Sequence, residues 1–261
     1  MTATLSTTAP LPSGARIPLL GFGTWQLTGS AATGSVAAAL AAGYRHLDTA
    51  TMYENEREVG AGLRESGVPR DEVFVTSKLP PDHAGRERAT LEQSLEQLAV
   101  DHLDLWLVHW PPDAGKGLDV WRAFLAARQD GLVRDVGVSN YSLAQLDELT
   151  EATGVTPSVN QIKWSPFRFD RALLDGHRER RVVVEGYSGL KGGTMEHPVV
   201  TGIADRLGRS PAQVLLRWQL DHEVVAIPKS TDADRIRANA DLDDVALTQD
   251  DVATLDALSE R

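Results

Sequence analysis

Short apolar runs alternate with amphipathic stretches along most of this chain. The runs cover residues 19–23, 44–48, 73–78, 104–109, 133–139, 158–161, 182–186 and 224–227. Between them the apolar positions change spacing. Leu91, Leu95 and Leu98 fall at i, i+4 and i+7, and Leu143, Leu146 and Leu149 recur every third residue, which is helical periodicity. Helix starts are marked by a capping side chain with a partner at the third helical position: Ser142 with Gln145, Ser210-Pro211 with Gln213, and Thr248 with Asp251. Asn55 with Glu58 has the same form. Strands separated by helices in this order predict an α/β fold, a (β/α)8 TIM barrel, as one domain over residues 1–261. Pro10, Pro12, Gly14 and Pro18 predict a short N-terminal hairpin ahead of it.

Length and composition agree with this picture. The 261 residues suit one such barrel, and 42% hydrophobic with 24% charged residues is ordinary for a globular enzyme. A net charge of −11 argues against a nucleic-acid surface, though not against a local basic pocket. With no cysteine there are no disulfides, thiolate metal sites or thiol nucleophiles. Residues 1–10 carry no basic segment followed by an apolar run, and no run approaches a membrane span, so a soluble cytoplasmic protein is expected.

The candidate chemistry sits at strand ends, where barrels of this kind carry their active sites. Asp48 ends the second run and Tyr53 follows on the loop. Lys78 ends the third run and His109 the fourth. Any one of these could be an ordinary turn residue or a structural histidine, but all four at one rim must satisfy one another if buried. Asp48 can hold Lys78 as an ammonium, whose charge favours the Tyr53 phenolate and lowers the phenol's pKa. Such a phenol can protonate a developing alkoxide, and His109 can donate a second hydrogen bond to the same oxygen. This set suits carbonyl reduction but supplies no electrons.

A seat for a hydride donor is expected in the second half. Ser139, Asn140 and Gln161 offer groups suited to a carboxamide, and Tyr187 a flat face for a ring. After the eighth run, Lys229, Ser230 and Arg235 suit a phosphate monoester, with Asn239 on the following helix. Trp25 and Trp110, just past strand ends, are candidate walls of a substrate pocket. No dinucleotide fingerprint, Walker loop or metal-ligand cluster is present, so no metal is expected.

These residues lie in segments that resemble the aldo-keto reductases: Gly21-Phe-Gly-Thr-Trp25, residues 43–60, Thr76-Ser-Lys78, Leu107-Val-His-Trp-Pro111, Gly137-Val-Ser-Asn140, Val159-Asn-Gln161 and Ile227-Pro-Lys-Ser230. The resemblance runs from Ile17 to the last helix and is nearest to the bacterial diketogluconate-reductase-like branch. It implies NADPH-dependent reduction of an aldehyde or ketone by a monomer. Tyr53 is then the general acid, with Asp48 and Lys78 tuning it and His109 orienting the carbonyl. It also implies that Gly23, Thr24, Ser139, Asn140, Gln161, Tyr187, Ser188, Leu190, Lys229, Ser230, Arg235 and Asn239 hold the cofactor. The chain departs from the family pattern at Ile162-Lys163, at Gly186-Tyr-Ser-Gly-Leu-Lys191 and at Ala238, all in the cofactor belt. Its end at Arg261 leads us to expect an open substrate site. Two alternatives use the same barrel: an NADPH-binding sensor with incidental turnover, and a reductase of imines or activated alkenes.

Overall fold

The computed structural model describes residues 5–113 and 115–260. The expectations that rest on residues 1–10 and on Arg261 fall partly or wholly outside them. A two-stranded antiparallel hairpin, β1 (Thr8–Pro10) and β2 (Arg16–Pro18), precedes the main sheet. Eight parallel strands follow: β3 (Phe22–Gly23), β4 (His46–Asp48), β5 (Phe74–Leu79), β6 (Leu103–Val108), β7 (Val133–Ser139), β8 (Val159–Lys163), β9 (Val183–Tyr187) and β10 (Val225–Ala226). They pair in sequence order, and a parallel bridge between Leu20 and Ala226 joins the first to the last. The sheet is thus a closed (β/α)8 barrel.

Among the described residues ten helices surround it: α1 (Gly29–Ala41), α2 (Glu56–Glu65), α3 (Glu87–Leu98), α4 (Gly117–Gln129), α5 (Leu143–Thr153), α6 (Arg171–Glu179), α7 (Pro198–Leu207), α8 (Pro211–Asp221), α9 (Ala233–Ala240) and α10 (Gln249–Asp256). Strand bounds differ from the apolar runs chiefly at the seam. There β3 and β10 shorten to two residues each, because the chain leaves regular pairing as the barrel closes.

The helices sit where their periodicity puts them. Leu91, Leu95 and Leu98 of α3 are buried, as are Leu146 and Leu149 of α5. Capping boxes form at Ser142, Ser210 and Thr248, each satisfying amides that a helix start leaves bare. The fourth expected cap does not form. Asn55 stands at the start of α2, but its side chain makes no helix-capping bond. Its Nδ2 instead donates to the carbonyls of Thr24 and Leu27 at 2.8 and 2.9 Å, and its Oδ1 accepts from Thr49 Oγ1. Fully buried, it ties the loop after β3 to the loop after β4. A buried amide is worth more where three partners satisfy it than at a cap with one.

Gly60 shows how tightly the helices pack. A Cβ there would lie 2.2 Å from the Leu98 carbonyl oxygen, so only glycine lets α2 touch the end of α3. Inside the wall, Trp106 of β6 stacks on Phe124 of α4 with ring centroids 3.7 Å apart. Among the described residues no helix is long and apolar enough to cross a membrane.

Candidate active site

Register decides which side chains meet. Asp48 on β4 pairs with Thr76 on β5, and Lys78 on β5 pairs with Leu107 on β6, so three adjacent strands end at one rim. Asp48 and Lys78 are buried and His109 nearly so. Lys78 Nζ lies 2.7 Å from the Asp48 carboxylate, 2.8 Å from the Thr49 carbonyl and 3.2 Å from Tyr53 Oη. An ammonium has three protons, and these contacts use all three. Asp48 is held in turn by Gln161, whose Nε2 donates to Oδ2 at 2.8 Å, while Thr24 Oγ1 donates to the Asp48 carbonyl. The Tyr53 ring sits edge-on to His109 with centroids 5.7 Å apart, and Trp25 covers its other side at 4.8 Å. The four residues expected to act together are therefore linked in one chain of contacts, Asp48 to Lys78 to Tyr53 to His109.

Their protonation differs from expectation at one point. Burial lowers the Lys78 pKa, but Asp48 and Tyr53 outweigh it and the ammonium is held charged above the usual lysine range. The Tyr53 pKa was expected to fall; it is raised. Burial of the phenol is the largest effect, Lys78 opposes it, and the negative charge of Asp48 adds to it. Tyr53 is a neutral phenol at ordinary pH. His109 is held down at about 3, by burial first and by the Lys78 charge second, so it is a neutral imidazole.

The predicted cofactor residues form two groups. In the first, Ser139 and Gln161 are register partners, and Ser139 Oγ donates to the Gln161 carbonyl at 2.8 Å. Asn140, in the left-handed region at φ 64°, donates to Ser139 Oγ and to the His109 carbonyl. Tyr187 Oη donates to Asn140 Oδ1 at 2.9 Å. This knits the rim from β6 to β9. Ser188 also has a positive φ, of 60°, and Leu190 packs half-buried beside the core.

The second group lies across the seam. Gly23 N–H donates to the Pro228 carbonyl, and a Cβ on Gly23 would stand 2.7 Å from the Ile227 carbonyl oxygen. Gly23 and the buried Thr24 thus approach the segment carrying Lys229 and Ser230. Partial burial first, and the Lys191 ammonium second, hold the Lys229 pKa below the usual lysine range, so two cations lie near one another here. That charge set fits a phosphate-bearing cofactor. At the N-terminus of α9, Asp232 caps the helix by accepting from the Arg235 amide, so that amide is already bonded within the chain. Arg235 is mostly exposed with only a distant contact to Asp232 at 3.9 Å, and Asn239 is buried.

Trp25 and Trp110 are about 45% exposed, at 44% and 45%, and Met52, which sequence reasoning passed over, matches them at 45%. Of these large exposed side chains Trp25 packs on the Tyr53 ring, whereas Met52 lines a separate cavity with Arg57, Pro80 and His83. A separate cavity of about 790 Å³ opens near the other end of the barrel, between the hairpin and Phe74, Asp104 and Arg134, with no member of the tetrad in its lining. Among the described residues no cluster of His, Cys, Asp or Glu could hold a metal ion.

Comparison with known proteins bears on this geometry. The sequence model of the Aldo/keto reductase family matches residues 19–260. The chain belongs to the aldo/keto reductase family. It is 42% identical to a glyoxal reductase of Bacillus subtilis over 264 residues, covering 100% of this chain and 95% of that protein. It is 41% identical to an aldo-keto reductase of Mycolicibacterium smegmatis over 252 residues, with 95% and 92% covered. Among solved structures, an aldo/keto reductase from Brucella melitensis superposes with a TM-score of 0.92 at 37% identity, covering 97% of this chain and 99% of that one. A Bombyx mori aldo-keto reductase in complex with NADP gives a TM-score of 0.91 at 32% identity, with 98% and 94% covered.

Proposed function

We propose that this protein reduces an aldehyde or ketone to the alcohol using NADPH, with Tyr53 as the general acid. The observation that carries the reading is the Lys78 ammonium, which spends one of its three protons on the Tyr53 oxygen. That oxygen accepts from Lys78, so the phenol's own proton is free to point to a substrate oxygen. Bound NADPH would supply the hydride that the chain cannot. Ser139, Asn140 and Gln161 would hold its carboxamide end, Tyr187 would lie under its ring, and Gly23, Thr24, Ser188 and Leu190 would line its path. Lys229, Ser230, Arg235 and Asn239 would hold the end carrying the extra phosphate. The bound NADP of the Bombyx relative and the glyoxal substrate of the Bacillus relative support this class of reaction.

The chain's own residues do the rest. As the carbonyl carbon gains the hydride, its oxygen gains charge, and Tyr53 transfers a proton to it. The tyrosinate left behind is stabilised by Lys78, whose charge Asp48 maintains. Neutral His109 donates to the same oxygen. Its Nδ1 is buried without a partner, so placing the imidazole proton on Nε2 avoids burying a bare N–H. Trp25 and Trp110 would pack against the apolar part of the substrate.

The pH profile tests this assignment. The rate of carbonyl reduction should be flat through neutral pH and fall only on the alkaline side, as Tyr53 loses the proton it must give. Oxidation of the alcohol, measured in reverse, should rise over the same range. His109, held at about 3, should leave no inflection near the ordinary histidine range of roughly 6.5. A reduction rate that halves around that pH with wild-type enzyme and disappears in a His109 variant would contradict the assignment.

A further inference from the structure

Glu185 lies on β9 in the barrel interior, fully buried, in register with Gln161 of β8 on one side and Val225 of β10 on the other. Neither of its carboxyl oxygens has a hydrogen bond of ordinary geometry among the described residues. The groups that face it are few. Asp48 and His46 come from β4, Lys78 from β5 and the Gln161 amide from β8, while Val225 on the β10 side is apolar. His46 Nε2 is 4.0 Å away and already 3.1 Å from Thr76 Oγ1. Burial holds His46 down at about 4, so it brings no positive charge. Lys78 is the one cation within influence, and its three protons go to Asp48, the Thr49 carbonyl and Tyr53. The Gln161 amide, which already gives one proton to Asp48, is the one donor left near Glu185, and it makes no bond of ordinary geometry with it; a buried carboxylate so poorly solvated is costly.

We propose that Glu185 is a positioning residue of the reductase site, a neutral carboxylic acid lying against Gln161 so that Gln161 holds Asp48 and Asp48 stays the sole counter-charge of Lys78. The assignment rests on the reading of Tyr53, Lys78, Asp48 and His109 as a reductase centre. Burial raises the Glu185 pKa well above the carboxylate range, and Asp48 raises it further against the opposing effects of Lys78 and of the Gln161 amide. The neutral form matters for the chemistry. A charged Glu185 would compete for Lys78 and push the Tyr53 phenol up, weakening the support for the tyrosinate that proton transfer leaves. Glu185 touches neither substrate nor cofactor in this account; it acts through Gln161 and Asp48.

Two variants test it: Glu185→Gln, a neutral side chain of the same shape, and Glu185→Leu, which removes the polar contact. Difference infrared spectra of wild type against E185Q at neutral pH should contain the carbonyl stretch of a protonated acid, lost in the variant. E185L should lower kcat by about tenfold or more with the NADPH Kd within about twofold, since a small misplacement near the reacting atoms is expensive. E185Q should restore kcat, and its alkaline limb should stay within a few tenths of a pH unit of wild type, roughly the limit set by an absent charge change. Absence of the protonated-acid band, a limb displaced by about one unit in E185Q, or undiminished kcat in E185L would each overturn the proposal. If E185L does not fold, the infrared band and the E185Q profile still decide. Failure of the reductase reading itself looks different: wild type would then show no turnover, while the infrared band would be unaffected.

Discussion

Tyr53→Phe is expected to lower kcat for carbonyl reduction by about 10²- to 10⁴-fold, the usual worth of a positioned general acid. The phenol proton is the one Lys78 leaves free, and nothing else at the rim has its place: His109 is neutral and weakly basic, and Asp48 is bound to Lys78 and Gln161. The ring itself is retained, so its contacts with Trp25 and His109 survive. NADPH affinity, read by fluorescence titration, should therefore change by no more than about twofold, because no ground-state contact to the cofactor is removed. A variant that keeps wild-type kcat would place the proton elsewhere. One that loses NADPH binding in proportion to kcat would make Tyr53 a cofactor residue.

Lys78→Met is expected to damage both the fold and the reaction. The lysine is fully buried, and its removal leaves the Asp48 carboxylate nearly buried with only Gln161 on one oxygen. Breaking one side of such a pair costs about 3–5 kcal/mol. In a domain of this size that corresponds to a fall in Tm of roughly 10 °C. The Thr49 carbonyl and the Tyr53 oxygen lose their donor as well, so the tyrosinate formed in reduction has no nearby cation. Thermal unfolding, followed beside kcat for the folded fraction, checks both effects. A Tm within a degree or two of wild type would mean that water or rearrangement compensates Asp48, and the coupling described above would be wrong.

How much of this was readable beforehand depends on the kind of information. Asp48, Lys78 and His109 announced themselves because polar residues ended apolar runs, and adjacent strands of a barrel deliver such residues to one rim. The capping boxes at Ser142, Ser210 and Thr248 were legible because their partners are three residues away. Asn55 carried the same local signature but has partners up to 31 residues distant, which no short pattern contains. The ionisation of Tyr53 was misjudged for a related reason. Lys78 could be inferred as a neighbour, whereas the burial that outweighs it is a property of the assembled site. Glu185 did leave a trace, a lone acid closing the apolar run Val182-Val183-Val184. Its meaning needed the three contacts of Lys78, and those include a backbone carbonyl that side-chain identities cannot show.

The same distinction applies to the cofactor end. Lys229 and Arg235 were chosen for charge, and both lie past β10 as expected. The cap that Asp232 places on α9 was not foreseen; it occupies the Arg235 amide, one of those that a phosphate at this helix start would use. Lys191 lies close enough to Lys229 to lower its pKa, second to burial. A doubly charged phosphate between them would relieve that repulsion. The preference for NADPH over NADH should accordingly weaken as salt is raised, since exposed charges are screened over about 8–10 Å at moderate ionic strength.

The measurement that tests the central claim most directly is cofactor consumption with a small set of carbonyl compounds, glyoxal and simple aldehydes among them. Wild-type protein would be assayed at neutral pH with NADPH and, in parallel, NADH. The account predicts many turnovers per enzyme molecule, faster at limiting NADPH than at equal NADH, with alcohol formed in step with NADPH oxidised. Tight NADPH binding without turnover on any carbonyl, or turnover confined to imines or activated alkenes, would contradict it.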